Sequence, residues 1–125
     1  KVAGKRLGPA EIETIINSNP NVTESACIGI PDELKGEAVM CFVVPREWSG
    51  LEELKVRLIE EVANSMGKAF APRGVVFVKA LPKTRNAKIM RRVIRSIYLG
   101  KDPGDLSSLD NPDAVEEIRR ALKST

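Results

Sequence analysis

Two long apolar runs separated by a short turn-forming connector constrain the fold of this chain most strongly. The runs extend from Val22 to Ile30 and from Glu37 to Val44, and both are rich in β-branched residues. The connector, residues 31–36, contains proline, aspartate and glycine. Because such connectors join neighbouring antiparallel strands, we expect a β-hairpin here.

Amphipathic segments flank this hairpin. Pro9 suits the first position of a helix that ends at residues 17–20, and a third strand is expected from Val75 to Val78. Apolar residues recur at helical spacing in three sets, the first of them in the helix that begins at Pro9, and each set predicts one buried helix face. The sets are Ile12, Ile15 and Ile16; Leu51, Leu54, Leu58, Val62 and Met66, ending near Gly67; and Val115, Ile118 and Leu122 in a last helix opened by Asn111 and Pro112.

These elements predict a single α+β domain over residues 1–125. With a short extended segment or hairpin at residues 2–7 and a helix after Lys88, the predicted order is βαββαβαα: a small mixed sheet of about three strands, plus that N-terminal hairpin, packed with helices. A hydrophobic content of 42% is sufficient for one core in 125 residues. The chain opens on Lys1, not methionine, so we expect it to come from a longer protein.

Composition excludes several kinds of site. There is no histidine, which excludes a Ser-His-Asp triad and zinc sites that need imidazole. Cys27 and Cys41 lie in separate apolar runs, where free cysteines are usually core residues, and they form no CxxC redox or metal motif. No metal site is predicted. No apolar run is long enough to span a bilayer, and a reducing cytoplasm is the expected location.

Lys88 is the candidate catalytic residue. It lies between the strand predicted at residues 75–78 and a helix whose apolar stripe is Ile89, Met90, Val93, Ile94, Ile97 and Tyr98. Asn86 is expected to cap that helix at its N-terminus. A lysine at a helix N-terminus suits an anionic substrate, because the unpaired backbone N–H groups there already favour negative charge.

The charge distribution also indicates an anionic partner. Although the formal net charge is only +3, no carboxylate occurs between Glu61 and Asp102, a stretch that holds half of the 20 basic residues. Nucleic acid is one candidate partner. However, Phe77 and Tyr98 occupy apolar positions, so the aromatic stacking surface of a single-strand binder is missing. Three helix arginines, Arg91, Arg92 and Arg95, could equally form a solvated helix face or bind a cofactor with several phosphates.

Four motifs resemble the C-terminal region of the acyl-adenylate-forming enzymes, which include acyl-CoA synthetases, peptide synthetase adenylation domains and luciferases. Residues 82–88 (PKTRNAK) resemble their lysine motif, and residues 4–13 (GKRLGPAEIE) resemble the motif that follows their interdomain hinge. Residues 30–37 and 106–112 are most similar to AMP-forming acetyl-CoA and short-chain synthetases. The resemblance covers nearly the whole chain.

The resemblance implies that this chain is the small mobile domain of such a ligase. The reaction uses ATP, a carboxylate and CoA and yields acyl-CoA, AMP and pyrophosphate, and Mg²⁺ would be held by ATP and the large N-terminal domain, which this chain lacks. The isolated fragment is therefore expected to be inactive. Its partners would be that large domain and the small substrates, with neither nucleic acid nor a membrane. The alternatives are a stand-alone nucleic-acid-binding module and a domain that loads a carrier protein.

The resemblance also assigns roles to residues. Lys88, charged at neutral pH, would stabilise the adenylation transition state, and as a candidate acetylation site it implies a lysine acetyltransferase and deacetylase as partners. Arg85 is a weaker candidate for a nucleotide or interdomain contact. The CoA face would be formed by residues of the second motif, Gly4, Lys5, Arg6 and Gly8, whereas the acidic residues Glu11 and Glu13 are interpreted as helix-stabilising only.

Two positions depart from the family pattern. Ala87 stands where the family usually has glycine, and if that position requires positive φ the alanine costs on the order of 1 kcal/mol. Ala63 stands at or near a position where acetyl-CoA synthetases often carry a basic residue for the CoA 3′-phosphate. Lys68, Arg73 or another cation of the basic surface could replace that residue.

Overall fold

The computed structural model describes residues 8–124, and it has the predicted α+β architecture over that range. The elements are α1 (Pro9–Asn17), β1 (Val22–Asp32), β2 (Gly36–Pro45), α2 (Leu51–Met66), a 3₁₀-helix (Lys68–Phe70), β3 (Gly74–Phe77), α3 (Arg91–Tyr98) and α4 (Asp113–Ser124). The hairpin predicted at residues 2–7, including Gly4, Lys5 and Arg6, lies outside the described residues. Within residues 8–124, no helix has the length and hydrophobicity needed to cross a bilayer.

The three strands form one mixed sheet in the order β1-β2-β3. β1 and β2 are antiparallel, so the hairpin prediction is confirmed, and the register places Ile30 opposite Ala38 and Cys27 opposite Cys41. β3 is parallel to β2. It begins at Gly74 and ends at Phe77, one residue earlier at each end than predicted.

Two apolar clusters cover the two faces of the sheet, because successive strand residues point to opposite sides. One cluster joins the sheet to α3 and α4 and includes Phe42, Val76, Ile94 and Ile118. The other joins it to α1 and α2 and includes Ile12, Ile16, Leu58, Val62 and both cysteines. The prediction that Cys27 and Cys41 are core residues is confirmed.

The predicted start of α3 is wrong. The helix begins at Arg91 with Met90 as its N-cap residue, so Asn86 does not cap it and Lys88 precedes its first turn. The cause is a competing set of hydrogen bonds, since the Met90 N–H donates to the Pro82 carbonyl at 2.9 Å and draws this segment into a hairpin. Ile89 and Met90 still pack against the α3 side of the sheet.

Candidate active site

Lys88 lies at the end of a tight hairpin loop between β3 and α3. The Ala87 N–H donates to the Thr84 carbonyl at 2.9 Å, and the Thr84 N–H donates to the Lys88 carbonyl at 2.9 Å. The Lys88 N–H donates to the Thr84 hydroxyl at 3.3 Å. Both backbone polar groups of Lys88 are therefore bonded to one residue, which holds its Cα in place.

Ala87 adopts the left-handed backbone conformation that this loop requires. Its φ is 64°, and it is the one non-glycine residue with positive φ within residues 8–124. A three-residue hairpin loop characteristically ends on a residue in this conformation, a position that glycine fills most easily. Position 87 therefore does require positive φ, and its alanine is strained directly before Lys88.

The base of the hairpin is anchored to the segment that precedes α4. Asn111 Oδ1 accepts the Lys83 N–H at 2.8 Å, and Asn111 Nδ2 donates to the Leu81 carbonyl at 2.8 Å. The Asp110 N–H donates to the Lys83 carbonyl at 2.8 Å. Asn111, which the sequence indicated only as a helix opener, therefore connects the first strand of the hairpin, at Leu81 and Lys83, to the segment before α4.

The two lysines of this hairpin have opposite surroundings. Lys83 Nζ lies 2.6 Å from Glu24 Oε1 at the start of β1, and both side chains are partly buried. Lys88 is exposed, as is Arg85 at the loop tip. Neither Lys88 nor Arg85 forms an ion pair with any side chain in the described part of the chain. The hairpin therefore presents an uncompensated positive charge on a pinned backbone.

Gly8 is the one residue of the predicted CoA face that the structure describes. It is the N-cap residue of α1, with φ −135°, and its N–H donates to Glu11 Oε1 at 2.7 Å. This capping box explains Glu11 as a helix-stabilising residue. Among residues 8–124, a Cβ built on Gly8 would meet only Glu11 Oε1, at 3.8 Å, so this part of the fold does not require glycine there.

α1 runs alongside β1 in the opposite direction. Asn17 Oδ1 accepts the Ser25 hydroxyl at 2.7 Å, and Glu13 Oε2 accepts the Cys27 N–H at 2.8 Å. The start of α1 therefore lies towards the end of β1. Consequently Gly8 lies towards the opposite end of the sheet from Lys83, which contacts Glu24 near the start of β1.

A cluster of cations lies at the end of the sheet where the turn after β1 meets the residues before β3. Lys35, Lys68 and Arg73 line a cavity of about 230 Å³ together with Asp32. Arg73 is paired with Asp32, and Lys35 Nζ donates to the Ala69 carbonyl at 3.3 Å. The hydrogen bond from the Lys35 N–H, followed by Arg73, lowers the pKa of Asp32, so this carboxylate stays ionised at neutral pH.

Lys68 is the member of this cluster whose charge is least compensated. It is exposed and has no ion pair with the other residues between 8 and 124. Ala63 lies one turn before the end of α2, where its carbonyl accepts the Gly67 N–H at 2.8 Å. Lys68 therefore follows Ala63 closely along the chain and stays a candidate to replace the cation that the resemblance leads us to expect there.

The hairpin and the cation cluster are far apart. Their contacts to β1 are at Glu24 and Asp32 respectively, eight positions apart along one strand. At the usual rise of a strand this separation is about 26 Å.

The helix arginines form contacts within the domain. Arg91 pairs with Glu13, and this pairing raises the pKa of the arginine. Arg92 Nη1 donates to the Pro103 carbonyl at 2.8 Å. Arg95 Nε donates to the Gly29 carbonyl at 2.8 Å. They are therefore neither a purely solvated face nor a free anion-binding face. Glu13 bridges α1, β1 and α3, a role that its position in the sequence did not reveal.

Comparison with known proteins identifies the family. A family model described as AMP-binding enzyme C-terminal domain matches residues 11–88. The chain belongs to this family. The match includes the turn after β1 and the cation cluster of Lys35, Lys68 and Arg73. It ends at Lys88, the last residue of the hairpin loop.

Relatives of this family domain include ligases for short acyl groups. The chain is 43% identical to the propionate–CoA ligase of Escherichia coli K12 over 98% of its length. It is 47% identical to an acetyl-coenzyme A synthetase of Methanothrix thermoacetophila over 94% of its length. The crystal structure of a Brucella canis acyl-CoA synthetase superposes on 78% of the chain with a TM-score of 0.70 and 33% identity. These relatives lend no support to the nucleic-acid or carrier-protein alternatives.

This family domain spans a small part of each relative. It covers 20% of the propionate–CoA ligase, 18% of the acetyl-coenzyme A synthetase and 18% of the Brucella canis chain. The remaining four fifths of those proteins have no counterpart in the sequence described here.

Proposed function

We propose that this chain is the C-terminal mobile domain of an AMP-forming acetyl- or short-chain acyl-CoA synthetase. The whole enzyme would join a carboxylate to AMP with release of pyrophosphate, and then transfer the acyl group to CoA with release of AMP. The observation that carries the proposal is the exposed charge of Lys88, unpaired among residues 8–124, on a hairpin whose backbone is held by Thr84 and Asn111.

Lys88 would serve the first half-reaction. Negative charge is shared between the carboxylate oxygen and the α-phosphate as the acyl-adenylate forms, and a positioned ammonium group stabilises that charge. Such a group acts best when no protein carboxylate already neutralises it and when its position is set before substrate arrives. Lys88 meets both conditions, whereas Lys83, which pairs with Glu24, meets only the second. Arg85 would assist from the loop tip through a nucleotide or interdomain contact.

The opposite end of the sheet would serve the second half-reaction. Gly4, Lys5, Arg6 and Gly8 would approach the pantetheine arm of CoA, and the cluster of Lys35, Lys68 and Arg73 offers cations for its phosphates. Because about 26 Å separates the two ends, the domain would have to reorient between the two half-reactions. ATP and Mg²⁺ would be bound mainly by the large domain, and the two free thiols are consistent with a cytoplasmic location.

The test separates the two half-reactions in the enzyme that contains both domains. Lys88→Ala should lower acyl-dependent pyrophosphate exchange by 10²-fold or more, the usual effect of removing one group that stabilises transition-state charge, and leave thioester formation from supplied acyl-adenylate nearly unchanged. Gly4→Leu should have the reverse effect by filling space needed by pantetheine. Equal loss of both half-reactions in both variants would refute the assignment of one end to each step.

A further inference from the structure

Cys27 and Cys41 form a cross-strand pair that the proposed ligase function does not use. They are register partners in the antiparallel β1–β2 pair, both are free, and their Sγ atoms are 2.9 Å apart. Opposite Cα atoms in such a pair are about 4.5–5.5 Å apart, within the range of about 4.4–6.8 Å that disulfides span. The two thiols could therefore be joined without a shift of either strand.

Cys27 and Cys41 differ in their position relative to one cavity. Cys27 lines a cavity of about 380 Å³ between α1 and α3, together with Pro9, Ala10 and the exposed Arg91 and Arg95. Cys41 is fully buried behind it and does not line this cavity. Both side chains are nearly inaccessible from the surface, at 1% and 0% exposure. Of the two residues, Cys27 is therefore the nearer to a small polar solute in this cavity.

The surroundings of Cys27 make its reaction slow. The hydrogen bond with Cys41, followed by burial, raises the pKa of the Cys27 thiol, and Glu13 adds to this effect while Arg91 opposes it. Since the thiolate is the reactive form, the pair should stay reduced through brief exposure to oxidant and respond only to sustained exposure. Cys41, as the adjacent thiol, would capture any oxidised Cys27.

We propose that Cys27 and Cys41 form an oxidation site at which a small peroxide produces a disulfide between β1 and β2. Cys27 sulfur attacks one peroxide oxygen, the O–O bond breaks, and one water leaves, giving a sulfenic acid on Cys27. Cys41 sulfur then attacks the Cys27 sulfur, the S–O bond breaks, and a second water leaves with the Cys41 proton. In total two thiols lose two electrons to one hydrogen peroxide, which becomes two waters.

The disulfide would hold the hairpin together. It would close a loop of 15 residues, 27 through 41, which contains the turn after β1. Restricting a loop of that length in the unfolded chain should raise the melting temperature by about 10 °C. The hairpin that carries Lys88 lies outside the loop, so the cross-link would leave it unchanged.

The test treats the folded chain with hydrogen peroxide, blocks remaining thiols and measures intact mass, cross-linked peptides and melting temperature. We expect the loss of two hydrogen atoms per chain, a peptide pair joined through Cys27 and Cys41, a higher melting temperature, and full reversal by dithiothreitol. Two blockable thiols remaining after prolonged treatment of the folded chain would overturn the proposal, as would disulfides only between chains.

Variants test the order of the two steps and the route of entry. Cys41→Ala should leave Cys27 as a sulfenic acid that dimedone traps, whereas Cys27→Ala should leave Cys41 unmodified. Ala10→Trp, which fills the cavity, should slow oxidation several-fold, while Thr14→Trp, an equally exposed position on α1 that does not line the cavity, should not. Equal oxidation rates in the two tryptophan variants would contradict entry through the cavity, and dimedone labelling of Cys41 in Cys27→Ala would contradict the order.

Discussion

The two ends of the sheet present positive charge in different ways. At the hairpin end, the cation of Lys88 is unpaired among the described residues while its backbone is held by Thr84, and the hairpin base is held by Asn111. At the turn end, the cations are distributed around a cavity, and Arg73 is already shared with Asp32. Transition-state stabilisation requires one preorganised charge, whereas phosphate binding tolerates several adjustable ones. The difference is consistent with the proposal that the hairpin end takes part in the chemistry and the turn end binds CoA.

Asn111→Ala is expected to have the largest effect on the fold of the hairpin end. It removes two partly buried hydrogen bonds and leaves the Lys83 N–H and the Leu81 carbonyl without these partners, which should lower the free energy of unfolding by roughly 2 kcal/mol. Adenylation should fall by roughly tenfold although Lys88 is intact, because its position is no longer held. Chemical denaturation and pyrophosphate exchange measure the two effects.

The conservative variant and a matched control make this prediction specific. Asn111→Asp can still accept the Lys83 N–H but cannot donate to Leu81, so it should recover part of the adenylation rate. Asn64→Ala, at an exposed position of α2, should lower neither stability nor adenylation. If Asn111→Ala loses stability without any change in adenylation, the hairpin does not need its anchor for catalysis.

Lys68→Ala tests the turn end. Loss of one exposed cation should raise the KM for CoA about three- to tenfold, with a smaller effect at high salt, because exposed charge interactions are weak and screened. Pyrophosphate exchange should not change. Lys101→Ala, an exposed lysine after α3, serves as the control and should leave the KM unaltered. An effect of Lys68→Ala on adenylation alone would reverse the assignment of the two ends.

Ala87→Gly is expected to have the smallest effect. Glycine removes the cost of about 1–2 kcal/mol for alanine with positive φ, but the unfolded chain regains about 0.4–1 kcal/mol of conformational freedom. The net result should be a gain of roughly 0.5 kcal/mol in the free energy of unfolding. Ala63→Gly within α2 should instead lower it, by up to about 1 kcal/mol. A loss of stability in Ala87→Gly would show that the alanine is not strained.

Much of this architecture could be predicted from sequence because local signals and burial agree. The hairpin of β1 and β2, the end of α2 at Gly67 and the burial of both cysteines all follow from periodicity and turn residues. The start of α3 could not be predicted, since the apolar spacing of Ile89 and Met90 suits a helix as well as a hairpin strand. The hydrogen bond from the Met90 N–H to the Pro82 carbonyl, which the spacing of apolar residues does not reveal, favours the hairpin.

The candidate site also combines residues that could be predicted from sequence with residues that could not. Lys88 was identified by its motif, and its exposure fits the role that the resemblance implies. The roles of Asn111 and Glu13 depend on contacts with residues 14 to 78 positions away along the chain, which no local pattern encodes. The resemblance offered one signal for the tight loop: the related enzymes usually have glycine where this chain has Ala87. Glycine in a hairpin loop commonly indicates a residue with positive φ.

The central claim is that the charge of Lys88, and not that of its neighbours, acts at the reacting atoms. The most direct measurement is adenylation by the two-domain enzyme with acetyl-lysine installed at position 88 or at position 83, since acetylation removes the charge with little change in length. The enzyme acetylated at position 88 should lose adenylation and regain it on enzymatic deacetylation, whereas acetylation at position 83 should have little effect. Full adenylation activity with position 88 acetylated would contradict both the catalytic role and the proposal that Lys88 is a regulatory acetylation site.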